Sequence, residues 1–208
     1  MEIPAFYASY GQGGVVASDG SFSILSPKKG MNTYGLKDTV WNASGVEVKS
    51  PVMIMDCTSF EQRQFSEKVM KNLRLTGFPV WFMTYINTVD DVFDAFNKDA
   101  EFVFAPYHFI ESDIELRDIC DVSDSVVPMI FVHKGKAILP GMRTADVLTV
   151  LEKLVGIGFY KNCIVDMRRS LDGYSWSIVS EDYPSTIPFV DDTRDLQDFQ
   201  TVVTPYLL

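Results

Sequence analysis

The sequence is poor in the residues that metal and redox chemistry need. Its 208 residues hold three cysteines, Cys57, Cys120 and Cys163, far apart and without a Cys-x-x-Cys spacing. They read as reduced thiols, which excludes a disulfide framework or a zinc ribbon. Two histidines, His108 and His133, are too few for a histidine-rich metal site; no metal and no cofactor are expected. No run approaches the ~20 consecutive apolar residues of a membrane helix. The opening MEIPAFYASY has neither a basic segment nor a long apolar one, so no signal peptide and no membrane partner are expected, and the expected location is cytoplasmic. Positive charge is scarce as well. Lys and Arg total 18 against 28 Asp and Glu, a net charge of −10, which argues against a uniformly basic nucleic-acid surface. Glycine-rich phosphate loops are missing too. No Gly-x-Gly-x-x-Gly follows an expected strand, and Gly11-Gln12-Gly13-Gly14 leads into extended residues instead of a helix.

What is present is an alternation. Short apolar runs, rich in β-branched and aromatic residues, fall at Ile3–Tyr10, Val52–Cys57, Pro79–Ile86, Phe102–Phe109, Val126–Val132, Asn162–Asp166 and Thr186–Asp191. Nearly unbroken apolar runs suit parallel strands buried on both faces. Between them lie segments with helical spacing: Phe60–Leu75, Val89–Phe96 after the capping residue Thr88, Ile114–Cys120, Ala145–Gly156 after Thr144, and Arg194–Val203. YSWSIVS, Tyr174–Ser180, fits an extra strand or a short helix. The pattern predicts an α/β protein with a parallel sheet, in one domain spanning 1–208. An N-terminal hairpin insertion is expected over 11–30, turning at Asp19-Gly20. Periodicity alone leaves an open sheet and a barrel both standing.

The order of elements resembles a known family. EIPAFYASYGQGGVV resembles the first strand and glycine-containing hairpin of the phosphoribosyl isomerase of histidine biosynthesis and its cyclase sister. VMIMDC resembles their second strand, which ends on an acid. LTGFPVWFMTYINTVDDVFDAFNKDAEFVFAPYHFIE resembles the third and fourth units, VLEKLVGIGFYKNCIVDMRRSLDG the fifth helix and sixth strand, and STIPFVDDTRDLQDFQTV the seventh strand and helix. The resemblance implies a TIM-type (β/α) barrel with about seven recognisable parallel strands, either incomplete or completed by a partner. An unpaired strand beside the first would invite self-association, hence a homo-oligomer.

The departures from the family bear on chemistry. Its first-strand catalytic Asp falls at Tyr7, and the fifth-strand acid has no counterpart near Val132, His133 and Lys134. Only Asp166 stands where a sixth-strand acid belongs. The loops after the third and seventh strands, TYINT and DDTRD, lack the glycines with which the family approaches its two-phosphate substrate.

In such a barrel, function gathers at the carboxyl ends of the strands. The candidates there are Asp166, His133 and Asp56 for acid–base work. Arg168, Tyr7, Thr84 and Asp191 are the candidates for holding a small anionic substrate or ligand, with Lys134 a further cation beside Arg168. Each has a plainer reading. Asp166 fits a strand-end acid satisfied by its own loop, Asp56 a helix cap, His133 a turn residue before Lys134-Gly135, and Asp191-Asp192 partners for a helix dipole. His108 reads as a member of an aromatic cluster. Three functions follow. One is a divergent isomerase acting on a phosphorylated or otherwise anionic small molecule. The second is a non-catalytic relative that binds a ligand or a subunit, and a mouth plugged by Trp176 or by the N-terminal hairpin would favour it. The third is an unrelated small-molecule enzyme on the same scaffold, since fold does not fix chemistry. A rival thioredoxin-like reading of VVPMIFVHKGKAI stays open but is disfavoured, for want of Cys-x-x-Cys and because two further βα units follow.

Overall fold

The computed structural model describes residues 1–11, 14–22, 27–44, 50–73, 78–194 and 196–206. Eight parallel strands close on themselves: β1 (Glu2–Gly11), β4 (Val52–Asp56), β5 (Val80–Met83), β6 (Phe102–Pro106), β7 (Val126–His133), β10 (Asn162–Val165), β11 (Thr186–Phe189) and β12 (Val202–Pro205). The ring is complete because β7 pairs with β10 and β12 lies between β11 and β1. The barrel expectation is therefore met, and all seven apolar runs are strands of it.

The eighth strand corrects the sequence reading. Arg194–Val203 was expected as a closing helix. Instead Leu196 and Phe199 are buried in a loop, and Val202–Pro205 aligns with Glu2–Ala5. The barrel needs no partner to complete it. The unpaired edge on which self-association was argued is covered, so that argument lapses.

Strand alternation sorts the core into two compartments. Ile3, Ala5, Tyr7, Met53, Met55, Trp81, Met83, Phe104, Val127, Met129, Phe131, Cys163, Val165, Ile187, Phe189 and Val203 fill the barrel interior. Their neighbours Phe6, Ile54, Phe82, Val103, Ile130 and Ile164 face outward onto the helices. The interior is thus a packed core of aromatic and methionine side chains, as an eight-stranded barrel requires.

The helices follow local chemistry. Thr88 and Asp91 form a reciprocal capping box at the start of α4 (Val89–Phe96). Ser112 caps α5 (Asp113–Val122), Asp146 caps α6 (Val147–Ile157), and Asp172 caps α7 (Gly173–Asp182). YSWSIVS is therefore helical, and Trp176 is core, edge-on to Phe199 at 5.6 Å. The long helix expected over Phe60–Leu75 is two short ones, α2 (Cys57–Gln62) and α3 (Lys68–Leu73). The break falls at Arg63, which takes left-handed angles (φ 49°) and caps α2. Four residues of the expected helix and its flank, 74–77, lie outside the described residues.

The insertion after β1 is larger than expected. β2 (Gly14–Phe22) pairs with β1, β3 (Pro27–Gly35) pairs with β2, and α1 (Leu36–Ser44) follows. Asp19-Gly20 is not the turn. The strand runs through it with a register shift between Ser18 and Gly20. β8 (Lys136–Ile138) and β9 (Thr144–Ala145) form a small antiparallel extension of β7, entered through a two-residue turn at Lys134-Gly135, both at positive φ (51° and 71°).

Closure rests on β12, and one substitution tests it. Val203 is fully buried between Ile3 and Phe189. Val203→Asp places an unpaired charge in the interior and should cost about 4 kcal/mol or more in denaturant unfolding. A barrel left open at this edge would tolerate it.

Candidate functional site

The carboxyl ends of the strands share one face, where a barrel enzyme would open its pocket. That mouth is filled. Phe22, carried in by the hairpin strand β2, lies with its ring centroid 5.7 Å from Tyr7, 5.8 Å from Phe131 and 5.2 Å from Phe189, edge-on to all three. Such tilted contacts add favourable quadrupole terms to the apolar burial. Beside Phe22, among Phe131, His133, Met167 and Arg168, lies a cavity of about 20 Å³. That volume holds a water molecule. It is far below the ≈ 300 Å³ at which small-molecule pockets begin.

The predicted catalytic acids are occupied by their own loops. Asp166 is fully buried and accepts hydrogen bonds from the Ser170 N–H (2.8 Å), the Ser170 hydroxyl (2.9 Å) and the Leu171 N–H (2.9 Å). It fixes the turn after β10, which holds Arg169 at φ 46°. Asp56, also fully buried, accepts from the Ser59 N–H (3.0 Å) and hydroxyl (2.7 Å) and caps α2. The plainer reading of each acid describes what it does here.

The other candidates divide. His133 and Arg168 do come together on a small cavity; His133 is not a turn residue but the last residue of β7, aligned with Lys136 of β8, and Arg168 is exposed. Tyr7 stands near Cys57 and Asp191. Chiefly its burial, and then its proximity to Cys57 and Asp191, push its phenol well above the usual range, and its hydroxyl has no protein partner. Thr84 is fully buried, its hydroxyl likewise unpartnered. Asp191 is exposed. Its neighbour Asp192 pairs with Arg194 and with Arg169, and the Arg194 hydrogen bonds hold it down at about 2. Cys57 is fully buried and its thiol is raised far from the thiolate form, chiefly by that burial, so it is inert. Among the described residues no group of three or more His, Cys, Asp or Glu side chains could hold a metal ion. No described helix is long and apolar enough to cross a membrane.

Beside the plugged mouth lies a roomier feature. A cleft of about 380 Å³ opens over the ends of β4, β5 and β6, walled by Phe60, Tyr85, His108 and Phe109, with Arg63 and Met142 at its lips. His108 lies 4.2 Å from the ring of Phe109, 5.1 Å from Phe131 and 6.4 Å from Phe60, so it is indeed a member of an aromatic cluster. It is only 8% exposed, and neither ring nitrogen has a hydrogen-bond partner in the protein. Burial, and then the Arg63 charge, lower it to about 4, so it is neutral near pH 7. A buried polar atom left unpaired costs about 1–3 kcal/mol, a cost that a partner entering the cleft would relieve. Sequence reasoning allowed for a hairpin plug without singling out Phe22, a lone aromatic in that hairpin. It missed Arg63, whose position depends on a helix break that carries no glycine.

No known protein family matches the sequence, and comparison with curated proteins finds no match.

Asp56 makes the electrostatics testable. Its burial outweighs the Ser59 hydrogen bonds and raises it to about 6. With the folded value above the ordinary 3.8, its contribution is fully present below pH 4 and is lost as pH rises through 6. Asp56→Asn keeps the cap without the charge. Relative to wild type, the variant should gain up to about 3 kcal/mol between pH 4 and pH 7, read from urea unfolding at each pH.

Proposed function

We propose that this chain is a non-catalytic relative of the phosphoribosyl isomerase barrels, a protein that binds a small planar ligand in the rim cleft at His108 instead of turning over a sugar phosphate in the barrel mouth. The observation that carries this reading is the Phe22 plug. The cavity beside it, about 20 Å³, is too small for a sugar phosphate. Both oxygens of Asp166 and of Asp56 already accept hydrogen bonds from their own loops, and both residues are fully buried.

The rim cleft supplies what a binding site needs. Tyr85 and Phe109, with ring centroids 4.9 Å apart, offer aromatic surface for a flat ring. Neutral His108 offers one donor and one acceptor. Arg63 can meet a single anionic group. Glu61 and Glu111 line the same cleft, so its three charges sum to −1. That balance disfavours a doubly phosphorylated ligand, and the single Arg63 guanidinium limits the ligand to a heteroaromatic ring carrying no more than one carboxylate.

A thermal-shift screen of heteroaromatic carboxylates beside sugar phosphates tests the reading. The carboxylates should raise the melting temperature, and His108→Phe should abolish the shift while leaving the free protein as stable or more so. Asp166→Ala should cost about 3 kcal/mol of stability, since it strips three charge-assisted hydrogen bonds, yet leave ligand affinity unchanged. Turnover of a phosphorylated sugar that is lost in Asp166→Asn would overturn the proposal and restore the isomerase.

A further inference from the structure

At the opposite end of the barrel lies a second cleft, independent of the mouth and of the rim. It has a volume of about 430 Å³ and sits where β10 and β11 begin, between the ends of α6 and α7. Two of its lining residues are unusual. Asn162 and Thr186 are aligned neighbours on β10 and β11, and both point outward, since Cys163 and Ile187 next to them fill the interior. They are 2% and 3% exposed, yet the Asn162 Oδ1 and the Thr186 hydroxyl have no hydrogen-bond partner in the protein. Apolar residues of the same size would serve the packing better at both positions. A polar pair retained at the floor of a cleft is what a ligand with hydrogen-bond donors requires.

The surrounding charge specifies the ligand further. The carboxyl ends of α6 and α7 meet at this cleft, and neither helix has a basic residue in its last turn. Their partial negative charges are therefore uncompensated within the helices. Asp124 and Asp182 stand on the rim and add two carboxylates. Aromatic surface comes from Tyr160, 63% exposed, and from Tyr183. The Tyr160 ring already takes one ammonium, that of Lys161 at 4.8 Å, in a cation–π contact. Lys161 itself is not among the residues that line the cleft.

We propose that this cleft is a binding site for a small organic cation, a primary amine with an aromatic or aliphatic body. The ammonium is held by the two helix ends and the Asp182 carboxylate and donates to Asn162 Oδ1, while the body lies on Tyr160 and Tyr183. Nothing in this site is shared with the rim cleft, so each proposal stands or falls alone.

The test is titration calorimetry on the full chain with phenethylamine and its neutral analogue 2-phenylethanol. The amine should bind at least tenfold more tightly. The double variant Asn162→Leu/Thr186→Val should lose at least tenfold in amine affinity with an unchanged or higher melting temperature. Asp182→Asn should lose severalfold, and His108→Phe should lose nothing. Equal affinity for amine and alcohol, no binding of the amine, or full affinity in the double variant would each overturn the site and leave the polar pair a partner of water only. Displacement of the amine by Mg²⁺ at equal concentration would overturn it in favour of an inorganic cation.

Discussion

The closed ring of eight short strands imposes one requirement on everything else: the space it encloses must be filled by side chains. Here it is filled with large ones. Tyr7, Phe104, Phe131 and Phe189 are all at or below 2% exposure, and Met53, Met55, Met83 and Met129 are fully buried among them. A barrel that keeps a reactive mouth leaves polar side chains at its upper layer with space above them. This one continues its apolar packing through that layer and caps it with Phe22. The hairpin strand that brings Phe22 is held by the β1–β2 ladder from Tyr7 to Gly11, so the plug is fixed by backbone pairing as well as by ring contacts.

The same requirement accounts for the fate of the acids. A carboxylate at the end of a buried strand has two ways to be satisfied: solvent and substrate, or its own following loop. With the mouth filled, only the second remains. Asp166 organises the turn after β10 and Asp56 the start of α2, each through two or three short hydrogen bonds. Their burial is stable because those bonds exist. Of the two arginines in the stretch KNCIVDMRRSLDG, Arg169 has a structural task. Arg169 reaches Asp192 and the Arg194 carbonyl and ties the loop after β10 to the loop after β11.

Much of this architecture was legible in the letters, for a physical reason. A strand buried on both faces has to be apolar almost throughout, so seven barrel strands stood out as continuous runs, and the capping residues placed α4 to the residue. The eighth strand did not stand out. Val202–Pro205 holds only two apolar residues and ends on proline, and it follows an acidic stretch that suits a helix. What makes it a strand is its pairing with Glu2–Ala5 at the far end of the chain, a contact no local window contains. The site was less legible than the fold because its deciding feature is also non-local. The position of one hairpin phenylalanine exists only once β1, β2, β7 and β11 have met, and the left-handed cap at Arg63, though local, carries no glycine to mark it.

Buried polar atoms without protein partners separate the regions that can bind from those that merely pack. Tyr7 and Trp81 carry such atoms inside the barrel, but neither lines a cavity able to admit a ligand. Their cost is met by the surrounding apolar burial, since large rings were the only way to fill the ring of strands. His108, Asn162 and Thr186 carry the same kind of atom beside clefts of about 380 and 430 Å³. There the cost has a remedy that does not disturb the core. The scaffold has thus sealed the site its topology favours and left unsatisfied hydrogen-bonding capacity at two places on its periphery. One is flanked by a guanidinium and aromatic rings, the other by carboxylates and helix carboxyl ends. Both clefts are net negative, and what separates them is the Arg63 guanidinium, which lines the rim cleft alone.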